Sequence, residues 1–229
     1  MEYIKDASLV FDLPLYELDG SSFMSRDAYG RDCTDIGALW TPRGRTFDGT
    51  DDYLIVGAVS DFNFIHDDMV FSVGIWVKLT DYTAGGLQVF CDSCSGSSSS
   101  TGIIFYYSGT LDNIIFYAYT SLGLGLRTVE IISSSNIIAD NDWHYVLVTG
   151  DGTNGALYVD GVVDTGVTET ITNRADAGNT SFPLMIGAYN EAPAGGELTG
   201  SIGEFRIYSR CLNPLGGQHN YLATKERYK

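Results

Sequence analysis

The run DWHYVLVTGDGTNGALYVDG, Asp142 to Gly161, constrains the chain more than any other stretch, because it holds two strand signals and the turn that joins them. Trp143, Tyr145, Leu147 and Thr149 alternate with His144, Val146 and Val148, a period of two written in aromatic and β-branched residues. GDGTNG stops the run and Ala156-Leu157-Tyr158-Val159 restarts it. Asp160-Gly161, a pair that tolerates positive φ, then turns the chain into Val162-Val163. The spacing predicts an antiparallel meander.

The same grammar runs through the rest of the chain. Ser8 to Leu15 reads as a strand, which Pro14 restricts to a sheet edge or to the strand's end. Further strands are predicted at Thr46-Phe47, Tyr53 to Val56, Phe71 to Leu79, Leu87 to Phe90, Ile103 to Tyr107, Ile114 to Tyr119, Thr128 to Ile132, Leu184 to Ile186 and Ser201 to Tyr208. In the third of these, Phe71, Val73, Ile75, Val77 and Leu79 share one face and Trp76 lies on the other with Ser72, Gly74 and Lys78. Asp19 to Asp35 reads as a long acidic loop, and CDSCSGSSSSTG, from Cys91, as a mobile one. Only Gly217 to Tyr228 suggests a closing helix. Many short strands with 27 glycines for their turns predict an all-β fold, a two-sheet antiparallel jelly-roll sandwich. No linker or internal repeat divides residues 1–229, so one domain is expected, long enough to fold without metal or disulfide.

Three more blocks accompany the meander in a familiar order: TFDGTDDYLIV at Thr46 to Val56, FSVGIWVKL at Phe71 to Leu79, and GSIGEFRIYSRCL at Gly200 to Leu212. Together with W-H-x-V-x-V-T-x-D-G-T-x-x-x-L-Y-V-D-G they cover nearly the whole chain. In this the sequence resembles the laminin-G-like (LamG type 3) group of the concanavalin-A-like lectin and glucanase superfamily. The resemblance implies a jelly-roll sandwich and a calcium ion at one rim. It assigns that ion to Asp27 and Asp32 of the acidic loop and to Glu204 near the C-terminus. Gly203 stands where the family carries another acid. The alternative is that these are plain loop and edge carboxylates in solvent, and Asp48, Asp51 and Asp52 suit Asx turns as well as they suit ligands.

Thirteen Lys and Arg against 29 Asp and Glu give a net charge of −16, which argues against nucleic acid and anionic membrane as partners. No apolar run approaches the ~20 residues of a membrane span. MEYIKDASLVFDLPLY lacks the basic and apolar regions of a signal peptide. An extracellular protein without a leader, or one on a virus particle released by lysis, would meet that pattern. Cys91 and Cys94 have C-x-x-C spacing, to which Cys33 and Cys211 would add a zinc set; a disulfide and loose thiols are the other readings. The sequon at Asn179-Thr180-Ser181 matters only on a eukaryotic secretory route.

Related folds include glycosidases, whose retaining members hold two carboxylates about 5 to 5.5 Å apart. The glucanase pattern E-x-D-x-x-E is absent, and Glu130 is the only strand acid in the middle of the chain. His144 is expected to be structural. Aromatic side chains make the stronger functional case, since sugars stack their C–H faces on rings. Tyr106, Tyr107, Tyr117 and Tyr119 on one hairpin, and Trp40 in a loop, are the candidate ligand-binding residues; Trp76 and Trp143 match packing positions in the family. The expectation is a non-catalytic, lectin-like module for a glycan or surface protein, with display on a virus particle and homo-oligomerisation open to it. A structural virion subunit without sugar binding, and a carbohydrate-active enzyme, are the rival readings.

Overall fold

The computed structural model describes residues 2–57, 60–80, 86–94, 101–120, 126–135, 137–172, 182–190 and 196–229. The sequon at Asn179 and the serine run at 95–100 lie outside them. In chain order the elements are β1 (Leu9–Pro14), β2 (Ser22–Met24), β3 (Asp32–Ile36), β4 (Leu39–Thr41), β5 (Gly44–Asp48), β6 (Tyr53–Val56), α1 (Phe64–Asp67), β7 (Val70–Leu79), β8 (Leu87–Asp92) and β9 (Gly102–Ser108). They continue as β10 (Asn113–Tyr119), β11 (Arg127–Ile132), β12 (Trp143–Asp151), β13 (Gly155–Val159), β14 (Val162–Val163), β15 (Thr168–Ile171), β16 (Leu184–Ile186), β17 (Thr199–Tyr208) and α2 (Pro214–Thr224).

Two antiparallel sheets form the sandwich. The first runs β14-β13-β12-β7-β17-β5-β4, with β1 beside the second half of β17; the second runs β15-β11-β10-β9-β8-β16-β6-β3-β2. The expected meander is β12-β13-β14, and its second turn carries φ of 52° at Asp160 and 76° at Gly161, the left-handed pair a two-residue hairpin needs. Pro14 ends β1, which pairs only with β17 among the described residues, so its missing N–H costs no ladder bond.

Alternation sends one face of each sheet inward. Phe71, Val73, Ile75, Val77 and Leu79 of β7 and Val146 and Val148 of β12 meet Phe90, Phe105, Phe116 and Ile131 of the second sheet in one buried core. Phe71 and Phe116 stack across the gap with centroids 5.2 Å apart. Trp76, Tyr145, Leu147 and Tyr208 face the other way and are covered by the C-terminal segment, where Tyr228 lies 4.3 Å from Trp76, centroid to centroid. Trp76 and Trp143 thus pack on the back of the first sheet, beneath the C-terminal segment and outside the central core.

Two local expectations change, and one left open is decided. The acidic loop contains a short hairpin, β2-β3, because Phe23 and Cys33 turn inward. The closing helix begins at Pro214, capped by Asn213, whose Oδ1 accepts the Gly216 N–H at 2.8 Å; an Asn-Pro pair is a start signal that the helical period alone did not reveal. All four cysteines are free thiols. Cys33 and Cys91 belong to the central core and Cys94 to the outside of the second sheet, so of the three readings the loose thiols stand and the four do not gather into a zinc set. No helix is long and apolar enough to cross a membrane among the described residues.

Candidate functional site

The outer face of the second sheet carries an aromatic and charged cluster. On β9 and β10 the residues Ile103, Phe105, Tyr107, Ile114, Phe116 and Ala118 face the core, so Ile104, Tyr106, Ile115, Tyr117 and Tyr119 face outward. Register places Tyr117 opposite both Ile104 and Glu130, and a bulge after Ala118 sets Tyr119 opposite Arg127. The rings meet edge to face, with centroids 6.1 Å apart for Tyr106–Tyr117 and 5.9 Å for Tyr117–Tyr119. Arg127 lies over this ladder, its guanidinium carbon 3.7 Å from the Tyr117 centroid and 5.9 Å from that of Tyr119. It also forms an ion pair with Glu130, three residues on, which the bulge at Thr128 brings to the same face.

Burial decides what a ligand can reach. Tyr117 is 8% exposed and Tyr119 9%, whereas Arg127 and Glu130 keep 38% and 25% of their side chains in contact with solvent. Tyr106 is half-buried. Desolvation pushes the phenols of Tyr106, Tyr117 and Tyr119 up, so all three stay neutral hydroxyls at physiological pH, and Tyr106 hydrogen-bonds to Tyr117. Burial pulls Arg127 down, but the bond to Tyr119, the nearby phenols and Glu130 outweigh it and raise its pKa. Tyr189 joins the cluster from the loop after β16, its phenol pushed up to about 12 by desolvation, with the Asp92 charge adding to the effect. The Asp92 carboxylate accepts the N–H groups of Cys94 at 2.8 Å and Asn190 at 2.9 Å.

Two of the expected ligand residues lie elsewhere. Tyr107 points into the core at 2% exposure, with its hydroxyl donating to Asp112 Oδ1 at 2.6 Å. The hairpin carries large residues on both faces, so composition did not reveal which face was inside. Trp40 sits on β4 at the edge of the other sheet, and its Nε1 donates to the Tyr16 carbonyl at 3.1 Å. Arg127, Glu130 and Tyr189 are the additions. The sequence carried no period-two signal for the first two, because residues three apart on a regular strand face opposite sides and only the bulge in β11 brings them together.

The acids expected to hold calcium do not converge. Asp27 Oδ1 accepts from Tyr29 N at 2.9 Å and from Arg31 at 3.2 Å, and its Oδ2 takes the Asp12 N–H at 3.2 Å. Glu204 is paired with Arg206 on the back of the first sheet, and Asp32 is exposed on β3 of the second. The Asp27 oxygens are taken by guanidinium and backbone groups, Glu204 is paired through Oε2 on the other sheet and Asp32 stands apart on β3, so the set does not converge into the about 6 to 8 oxygens that a calcium ion needs. Among the described residues, Asp48, Asp51 and Asp52 bring three carboxylate oxygens within 4.8 Å of one another. Two of those carboxylates already cap their own turn, accepting the N–H groups of Thr50 and Asp48.

A laminin G type 3 family model, described as the concanavalin A-like lectin/glucanases superfamily, matches residues 48–215. The chain belongs to this family. No curated protein sequence matches it. Among solved structures, this laminin-G-like chain is similar to the Trypanosoma rangeli sialidase in complex with sialic acid. The identity is 16%, the TM-score 0.69, and the match covers 97% of this chain and 34% of that one. It is also similar to the binding domain of botulinum neurotoxin serotype D, at 14% identity and a TM-score of 0.70, over 94% of this chain and 51% of that one. The chain therefore spans about a third of the sialidase and about half of the toxin domain, and the likeness establishes a shared sandwich. The departure from the family pattern at Gly203 has a packing cause. A Cβ there would lie 2.2 Å from the Tyr228 ring, so the glycine lets the C-terminus close over Trp76.

Proposed function

We propose that this protein is a non-catalytic carbohydrate-recognition module, and that its site is the outer face of the second sheet. The observation that carries the reading is the Arg127–Glu130 pair held over the Tyr106–Tyr117–Tyr119 ladder. The buried rings fix the guanidinium in one plane, so its N–H groups and the Glu130 oxygens offer donors and acceptors at a set spacing, as vicinal sugar hydroxyls require. The half-buried edge of Tyr106 supplies the apolar contact. The net charge of −16 favours a neutral glycan over a polyanionic one. The sialidase solved with sialic acid and the toxin binding domain support the reading by analogy of fold.

The reading of the site as non-catalytic rests on its carboxylates. Glu130 is tied to Arg127, and Asp92 accepts two backbone N–H groups, which leaves neither poised as acid or nucleophile. Display outside the cell or on a virus particle is the setting in which such a module would meet its glycan. The test is a glycan array followed by calorimetry on the intact chain. A neutral glycan should bind, and Arg127→Ala and Glu130→Gln should each weaken binding about tenfold or more. Retention of no glycan would favour the structural-subunit reading, and release of reducing ends would favour the enzyme.

A further inference from the structure

A cavity lies on the opposite side of the molecule, behind the first sheet. It measures about 460 Å³ and is bounded by Glu204 of β17, Tyr3 and Tyr16 from the two sides of β1, and Arg227 just after α2. That volume falls in the roughly 300–1,000 Å³ range of small-molecule sites. Its floor is a buried charge cluster. Arg206, 1% exposed, donates from Nε to Asp12 at 3.0 Å and from Nη2 to Glu204 Oε2, while Tyr3 donates to Asp12 at 2.5 Å. Glu204 is also 1% exposed, yet its Oε1 has no hydrogen-bond partner. A buried carboxylate oxygen left without a donor costs of order 1–3 kcal/mol, so something is expected to satisfy it.

We infer that this cavity binds a small neutral polyol, a monosaccharide unit being the fitting size, with one hydroxyl donating to Glu204 Oε1. The surroundings select that chemistry. Guanidinium groups flank Glu204 on two sides, Arg206 stacked 3.3 Å from the Tyr3 centroid and Arg227 3.5 Å from that of Tyr16, so an added ammonium would meet both. An anion would meet Glu204 itself, with Glu2 and Glu226 at the rim. A hydroxyl group adds no charge, donates to the carboxylate and accepts from Arg227. Tyr3 and Tyr16 line the walls, where ring edges can contact sugar C–H groups. This site is independent of the one on the second sheet and stands whether or not that face binds glycan.

The experiment is an amide-resolved NMR titration of the intact protein with glucose, galactose, N-acetylglucosamine, glycerol and methylammonium, each separately. The inference expects saturable shifts at Thr224 to Arg227 with at least one monosaccharide. It expects about tenfold weaker binding in both Arg227→Gln and Tyr16→Leu, and the same saturation curve at the Thr224 to Arg227 amides in Arg127→Ala, whatever that variant does on the other sheet. Arg227 is exposed, so the first variant decides the matter should Tyr16→Leu not fold. Three results would overturn it: no saturable shift with any sugar, meaning that water alone fills the cavity; shifts with methylammonium only; or loss of the effect in Arg127→Ala, which would place the sugar on the other sheet.

Discussion

Raising the pH through about 9 should weaken this protein through one histidine. His144 Nδ1 lies 2.9 Å from Asp160 Oδ2 and its Nε2 lies 3.0 Å from Asp140 Oδ1, so both ring nitrogens face carboxylates and both must donate. The imidazolium is the form this geometry holds. Burial pulls the pKa down, but the hydrogen bonds and charges of Asp160 and Asp140 outweigh it and carry it from 6.5 to about 9. Because the folded value lies above the unfolded one, the stabilisation is complete below about pH 6.5 and is lost as pH rises through about 9. The full shift corresponds to about 3 kcal/mol. His144 is only 13% exposed, but Asp140 is 54% exposed and Asp160 33%, so screening by water reduces the expected effect to about 1–2 kcal/mol. Urea unfolding between about pH 6 and pH 10 should show wild type losing that much more stability than His144→Asn, whose profile lacks the step. Parallel profiles would refute the linkage. A ring resonance that titrates near its ordinary value would refute the pairing itself.

Tyr117→Ala should cost about 3 kcal/mol in chemical unfolding, because the ring is 8% exposed and lies beneath Arg127; a loss under about 1 kcal/mol would mean it is a surface residue. Gly203→Ala should lower Tm and change Trp76 fluorescence, since its Cβ would displace Tyr228, at a cost of about 1–3 kcal/mol; an unchanged spectrum would show that the C-terminus does not close this way. Excess EDTA should leave Tm unchanged, because the Asp27 oxygens are held by Arg31 and backbone groups and Glu204, tied to Arg206, does not converge with them. A fall in Tm restored by calcium would contradict this and direct attention to Asp48, Asp51 and Asp52, by way of Asp51→Asn.

What was legible in the sequence was local. The five inward residues of β7 and the outward Trp76 follow from a period of two, which near neighbours define. Pro14 predicted its own place because a residue without an N–H tolerates few others. Glu204 and Arg206 were also within reach, since residues two apart on a strand share a face and opposite charges there pair. Tyr107 was not, because a strand with large side chains on both faces carries no sign of which one is buried.

The sequence by itself determined the all-β meander, its turns and the family, all of which rest on residue types at short spacing. The tertiary structure alone decided which carboxylates are committed and which are open. Asp12 reaches Arg206 across 194 residues only because β1 is laid beside β17, and that neutralises one side of the cluster while Glu204 Oε1, in a residue that bounds the cavity, keeps no partner. Charges in a low-dielectric interior are governed by their nearest partners in space, and partners so far apart in the chain meet only when the sheets close.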